Sequence, residues 1–387
     1  MTVTASPSTS DEPTLRLMWP DVAPGRVQLR ALPDATKPRL LLPIERRPGR
    51  ASLRALRDAS SRRARIRTRL IAAAWGSPIQ PGSTIEVPEG GITDYLSRQL
   101  ARTIVVGVHL GPPRANRKPV LALTTPEGDV VGFAKLGVNE LTDRLVANEA
   151  SALQQLSSLR EVTTPRLLLQ DSWSGHSLVL QSALLRNGRA ADNPEAVANA
   201  QVEVSRSVSS GLSAEEYADR LVGQLQVAMP AATSAAAASL KRVQRLVESL
   251  RQAPRLAELE MGCWHGDWRA TNMAVQRTGV LVWDWERFAS GVPVGFDALH
   301  LLLTQSSPTT KDLSQLAPLI FRRAPEVLLP FAIRDVEGAE VVTTLYFLEL
   351  AARYLEDQQA TAGTRLGDVD RWLLPELERR VGTAHEH

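Results

Sequence analysis

The chain has 387 residues, 43% of them apolar and 22% charged, enough to bury a sizeable core in two or three compact units. This composition excludes a collagen-like or globally disordered chain, and its longest apolar runs fall far short of the ~20 residues of a membrane-spanning helix. The formal charge of +3 is unevenly spread: ten arginines and one acid, Asp58, lie between Arg46 and Arg69, so the remainder is net negative and carries no whole-protein nucleic-acid footprint.

The polar, Ser/Thr-rich start, residues 1–13, reads as a frayed terminus without a charged-then-apolar leader, which with the single cysteine Cys263 points to the cytoplasm. Short strands are predicted over 15–19, 27–32 and 39–42, bounded by prolines. A basic helix follows over 52–75, then a Pro/Gly-rich linker over 76–91 and a brief helix over 93–100. From Thr103 the pattern changes. Strands are predicted over 103–110, 120–125 and 130–136, the last two joined by the Pro126-Glu127-Gly128-Asp129 turn. A helix over 141–159 and strands over 165–169 and 177–184 complete a compact α+β section. Beyond Asn187 the chain turns mainly helical, with helices over 213–227, 231–250, 341–356 and 368–381 and two short β pieces over 273–275 and 280–283. Ser213 and Glu216 form a capping-box signature at the first of these helices.

The strongest chemical signal is His265-Gly266-Asp267-Trp268-Arg269-Ala270-Thr271-Asn272, followed by Leu281-Val282-Trp283-Asp284-Trp285-Glu286. A loop of this length can direct one carboxylate, Asp267, at a substrate hydroxyl. It also brings Asn272 and Asp284 within reach of one hard cation, which prefers oxygen ligands. The bland alternative is a capped turn with a buried structural aspartate. Cys263 and His265 are too few for a zinc site, and Cys263 reads as a small buried apolar residue. Trp268, Trp283 and Trp285 crowd the motif, either as core or as the wall of a substrate pocket.

H-G-D-x4-N followed by an apolar strand ending in D-W-E resembles the aminoglycoside phosphotransferase/choline kinase family, small-molecule relatives of protein kinases. The resemblance runs from roughly Thr103 to Leu303. It implies a bilobal α+β fold with a small β-rich N-lobe and a mainly helical C-lobe. It also implies Asp267 as the catalytic aspartate, Asn272 and Asp284 as magnesium ligands, and His265 as support for the loop. Gly291–Leu301 resembles the family's segment after the metal site, though its first aspartate is absent and Asp297 comes one residue late, so Asp297 reads as a structural anchor. The implied domains are an N-terminal extension over 1–95, an N-lobe over 96–184 and a C-lobe over 185–387.

A kinase-like site needs a cation for the nucleotide phosphates and an acid to hold it. Lys135 near the end of a strand and Glu149 on the helix fourteen residues later fall on the required element types. Alone, Lys135 would read as an ordinary exposed lysine. The loop Gly111–Lys118 lacks the G-x-G-x-x-G of protein kinases. Its Arg114, Asn116, Arg117 and Lys118 either contact phosphate through side chains or form a solvated basic tip. Gln181-Ser182-Ala183-Leu184 occupies the expected hinge, where backbone groups at Gln181 and Ala183 would meet the edge of a nucleotide base.

The resulting expectation is an ATP- and Mg2+-dependent kinase, with GTP as the alternative nucleotide, that phosphorylates a hydroxyl of a small molecule such as an amino sugar, an aminoglycoside-like compound or an amino alcohol. A Ser/Thr peptide kinase and a nucleotide-binding pseudokinase are the rival readings; membrane and nucleic-acid partners are not expected. Glu215, Glu216, Asp219, Glu258 and Glu260 are candidate partners for a cationic acceptor or plain solvated acids. The arginine segment is read first as a helix capping the fold, then as an anion-binding face, and last as a nucleic-acid site.

Overall fold

A computed structural model describes residues 11–21, 24–56, 62–77, 80–112, 114–156, 158–184, 193–209, 211–251, 253–358 and 365–383. The polar start at 1–10, the middle of the arginine segment at 57–61, and Pro113 lie outside the described residues. The chain divides into two compact units, Met1–Ser151 with Pro165–Leu185, and Ala152–Thr164 with Arg186–His387.

The first unit opens with helix α1 (Glu12–Met18), where the sequence reading has a strand. Pro13 fits the first helical turn, where no N–H is needed, and Leu15 and Met18 lie one turn apart and are buried. Strands β1 (Arg26–Leu32) and β2 (Leu40–Pro43) follow. The basic segment forms two helices rather than one, α2 (Arg46–Leu56) and α3 (Arg62–Ala74). The stretch read as a linker contains strand β3 (Ser83–Pro88), whose Ile85 and Val87 are buried on either side of exposed Glu86. Next come α4 (Ile92–Gln99), β4 (Val105–His109), β5 (Val120–Thr124), β6 (Val130–Leu136) and α5 (Glu140–Gln155). After β7 (Val162–Thr163), which belongs to the second unit, β8 (Leu167–Trp173) and β9 (His176–Ser182) complete the sheet.

That sheet has eight strands in the order β3-β1-β2-β4-β5-β6-β9-β8, each antiparallel to its neighbours. The first 95 residues therefore supply three strands of the same sheet, and the structure does not divide at residue 95. Leu40 and Leu41 of β2 pair with His109 and Val108 of β4. Register then fixes which side chains share a face, because directly paired residues point the same way. One row runs Gly107–Ala122–Phe133–Gln181 and the next His109–Val120–Lys135–Val179, so Lys135 and Gln181 project from one face. Val179 of this face packs with Val146 and Ala150 of α5. Helix α2 lies over the same sheet so closely that a Cβ on Gly107 would come 2.5 Å from that of Ser52. Leu53, Ala72 and Trp75 bury an apolar seam beneath the arginines together with Leu32, Leu40 and Leu42, and Trp75 donates its indole N–H to Pro43 O at 3.0 Å. Leu15, Met18, Ile92 and Leu96 belong to a separate core with Val106, Leu121 and Leu180.

The second unit is mainly helical: α6 (Pro194–Ser205), α7 (Ala214–Ala228), α8 (Ser234–Leu250), α9 (Phe296–Ser306), α10 (Leu316–Leu328), α11 (Val336–Glu356), α12 (Val369–Trp372) and α13 (Leu374–Thr383). The Ser213/Glu216 capping box is present at α7. Helices α6, α9 and α10 were not expected. Between α8 and α9 lie β10 (Met261–Trp264), β11 (Met273–Gln276), β12 (Gly279–Val282) and β13 (Ala289–Pro293). β10 pairs with β13, and the β11–β12 hairpin pairs with β7 in parallel. The two units together give the expected α+β class, one β-rich and one mainly helical. No helix among the described residues is long and apolar enough to cross a membrane.

Candidate active site

The motif beginning at His265 leaves β10 as a loop, and three devices hold that loop. First, Asp297 in the first turn of α9 accepts the backbone N–H groups of His265 at 2.7 Å and Gly266 at 3.2 Å. It is thus the anchor its position suggested. Burial raises its pKa to about 7 even though both backbone bonds favour the charged form. Second, the His265 ring donates from Nε2 to Trp283 O at 3.1 Å and accepts the Asp267 N–H at Nδ1, 3.1 Å away. It therefore supports the backbone. Third, Gly266 has φ +81°, and a Cβ there would stand 2.2 Å from Arg287 O, so only glycine fits the turn.

This loop presents Asp267. Its Oδ1 accepts from Arg269 Nε at 2.9 Å, from Arg269 Nη2, and from His300 Nε2 at 3.1 Å. Its Oδ2 accepts from Asn272 Nδ2 at 3.0 Å, and the same amide group donates to Asp267 O at 3.0 Å. Burial works against the charge. The His300 hydrogen bond and the charges of Arg269 and Arg353 outweigh it and hold the carboxyl well below the usual range. Asp267 is therefore an ionised, hydrogen-bond-accepting group at neutral pH.

Asn272 stands where β11 begins and Asp284 just after β12. Met273 pairs with Val282, and Trp283 donates its N–H to Asn272 O at 3.0 Å, so both residues lie at one end of the hairpin. Asp284 takes the left-handed conformation at φ 72° and turns the chain out of the strand. With the Asn272 NH2 committed to Asp267, its amide oxygen receives only a long bond from the Thr271 hydroxyl at 3.4 Å and keeps a lone pair for a further partner. An amide oxygen and a carboxylate form a hard donor set, so these residues fit a divalent cation such as Mg2+. Trp268 and Trp285 are buried, and their rings pack against His265 at 5.9 and 4.5 Å, which makes them core; Trp283 is half-buried. Cys263 is buried, as its reading as a small apolar residue expects, and it also donates its S–H to Val204 O.

In the first unit Lys135 and Glu149 form a buried ion pair, with Nζ 2.8 Å from Oε1 and 2.7 Å from Oε2. Lys135 is not the exposed lysine its residue type would suggest. The Gln181 side chain is buried on the same sheet face, and Ala183 is half-buried after the end of β9. In the loop between β4 and β5, Arg114 is exposed and Asn116 half-buried. Arg117 donates to Leu110 O and pairs with Asp11 at 2.6 Å, so it braces the loop instead of reaching outward.

Four of the acids considered for a cationic acceptor are engaged within the second unit. Glu216 closes the capping box, Asp219 pairs with Arg251, Glu258 with Arg255 at 2.5 Å, and Glu260 with Arg206 at 2.8 Å. Sequence reasoning missed Arg269, His300 and Arg353 as neighbours of Asp267, and Tyr346 as the partner of His300. A signal for one of them was present: His300 lies three residues after Asp297, on the same helical face.

No protein-family model matches the chain, and no curated protein matches it in sequence. Among solved structures it is similar to the choline kinase LicA from Streptococcus pneumoniae, at 13% identity over 76% of this chain and 98% of that one, with a TM-score of 0.49. It is similar to a thermostable mutant of aminoglycoside phosphotransferase APH(4)-Ia, at 13% identity over 76% and 99% with a TM-score of 0.43. A third is the amicoumacin kinase hAmiN in complex with AMP-PNP, Ca2+ and Ami, at 11% identity over 69% and 86% with a TM-score of 0.43.

Proposed function

We propose that this chain is an ATP-dependent phosphotransferase that moves the γ-phosphoryl group to a hydroxyl of a small molecule. The observation that carries the reading is the Asp267 carboxylate, held ionised on an anchored loop and bonded to an asparagine whose amide oxygen shares a hairpin end with Asp284. Asp267 orients the acceptor hydroxyl and takes up its proton as the oxygen attacks the phosphorus. Asn272 and Asp284 hold the metal. When bound, magnesium supplies charge neutralisation to the nucleotide phosphates. Lys135, kept in place by Glu149, binds the phosphates; Arg114 and Asn116 are further candidates for them, and backbone groups at Gln181 and Ala183 meet the base. Catalysis on this reading is mostly positioning and charge stabilisation. Because Glu216, Asp219, Glu258 and Glu260 are paired internally, the reading does not require a cationic acceptor.

The test has two parts. Magnesium-ATP is expected to raise the melting temperature more than ATP with EDTA, because a ligand that binds only the native state stabilises it. Asp284→Ala should abolish most of that difference, and a full magnesium-dependent shift in this variant would remove Asp284 from the assignment. ADP formation is then measured across amino alcohols, amino sugars, aminoglycosides and Ser/Thr peptides, with the phosphate ester identified by mass spectrometry. A peptide product would replace the small-molecule reading.

A further inference from the structure

His300, on α9, is fully buried and stands between two polar partners. Its Nε2 lies 3.1 Å from Asp267 Oδ1, and its Nδ1 lies 3.0 Å from the hydroxyl of Tyr346 on α11. The ionised carboxylate offers only lone pairs, so Nε2 carries the proton, and Nδ1 accepts from the Tyr346 O–H. Burial lowers the His300 pKa to about 4 and pushes that of Tyr346 well above its ordinary value, so both groups are neutral at pH 7. The imidazole is boxed edge-on by Trp264 and Tyr346, with ring centroids at 6.4 and 6.1 Å.

The two oxygens of Asp267 are not equivalent. Among the described residues, Oδ1 receives His300 and two Arg269 N–H groups, which saturates it, whereas Oδ2 receives Asn272 Nδ2. A carboxylate oxygen offers about two lone pairs, so Oδ2 keeps one for a further donor. The two supports of Oδ1 also differ. The Arg269 side chain is 39% exposed and can turn to solvent or to an anion, while that of His300 is 1% exposed and has no other place to go.

We infer that His300 is a positioning residue, set in its tautomer by Tyr346, which fixes the rotation of the Asp267 carboxylate so that Oδ2 faces the acceptor hydroxyl and takes its proton. This inference rests on the phosphotransferase reading above and adds to it which oxygen acts and what aims it. The electron pair on Oδ2 accepts the hydroxyl proton as the O–P bond forms and the bond to the leaving ADP oxygen breaks; His300 neither gains nor loses a proton.

The test compares wild type, Asp267→Asn, His300→Phe, His300→Gln and Tyr346→Phe. The probe is magnesium-ATP, with ADP formation followed with water and with the acceptor panel, and each melting temperature is recorded. His300→Phe is expected to lower kcat ~10–100-fold, the scale of a misplaced reacting group, with KM for ATP within about twofold of wild type. His300→Gln, which retains an N–H donor near the place of Nε2, should recover most of the loss, and Tyr346→Phe should fall between. Two results would overturn the inference: His300→Phe with wild-type kcat, or His300→Gln as impaired as His300→Phe while both melt like wild type. Neither would touch the phosphotransferase reading, which fails instead if Asp267→Asn turns over like wild type. Long-range 15N–1H spectra, with the His300 signals assigned by their loss in His300→Gln, give an activity-free readout. The neutral Nε2–H tautomer is expected, and an Nδ1–H tautomer would overturn the proposal.

Discussion

Replacing Asp267 with asparagine is expected to lower turnover ~10²–10⁴-fold while magnesium-ATP affinity stays near wild type. The amide has almost the volume of the carboxylate and still accepts through one oxygen, but it cannot take up a proton. An effect confined to the transition state appears in kcat and not in the binding of the nucleotide. The substitution also removes the charge that offsets Arg269 and Arg353, so some stability is lost at pH 7. The sign of its pH dependence follows from the Asp267 pKa, which lies below that of the unfolded chain. The stabilisation is present above about pH 4, and it fades as the pH falls toward the native value. The melting temperatures of wild type and Asp267→Asn should therefore lie furthest apart near neutrality and converge in acid. A constant gap would mean that the carboxylate charge is not what stabilises the loop. Turnover equal to wild type would mean that Asp267 is not the base.

The second large effect is expected at the Lys135–Glu149 pair, where stability and binding can be separated. Glu149 is completely buried and the Lys135 side chain is only 7% exposed. Glu149→Ala leaves an ammonium group in a poorly hydrated place, and breaking a buried pair in this way costs about 3–5 kcal/mol. The double variant Lys135→Met/Glu149→Leu removes both charges and fills similar volume, so most of that stability should return. Nucleotide binding should stay weak, because the buried ammonium group that meets the phosphates is gone. Chemical denaturation gives the first quantity and titration calorimetry with magnesium-ATP the second. If the double variant binds nucleotide like wild type, the pair is only a structural strut of β6 and α5.

The difference between what was legible and what was missed follows the range of the interactions. The bond between Asp267 and Asn272, and the placing of Asn272 and Asp284 at one hairpin end, follow from a short loop and a hairpin, so their spacing in sequence carries that much. Lys135 and Glu149 were legible because a strand followed by a helix returns the chain over fourteen residues. His300 reaches Asp267 from 33 positions away in sequence, and Tyr346 reaches His300 from 46, through helix packing that no local pattern encodes. Likewise, strand β3 is interrupted on both sides by Pro and Gly, which masks its alternation. Its pairing with β1, such as Ile85 with Leu29, closes a loop of more than fifty residues. The error at residues 15–19 has the opposite cause. Five residues cannot distinguish a strand from one helical turn, and the burial of Leu15 with Met18 decided the matter.

The pairing of β2 with β4 bears on how the protein can be trimmed. In the intact sheet β4 is an interior strand. If the chain began at residue 96, the flank of β4 that meets Leu40 and Leu41 would be bare, with Val108 and His109 lacking their ladder on that side. The same cut would strip Leu15, Met18, Trp19, Leu29, Leu41, Ile85 and Val87 from the apolar cluster that also contains Val106 and Leu121. A naked strand beside uncovered apolar surface is a template for docking another chain. The shortened protein is therefore expected to self-associate rather than merely work less well, and light scattering at rising concentration would reveal it. A monodisperse monomer of residues 96–387 would mean that β4 tolerates an open edge.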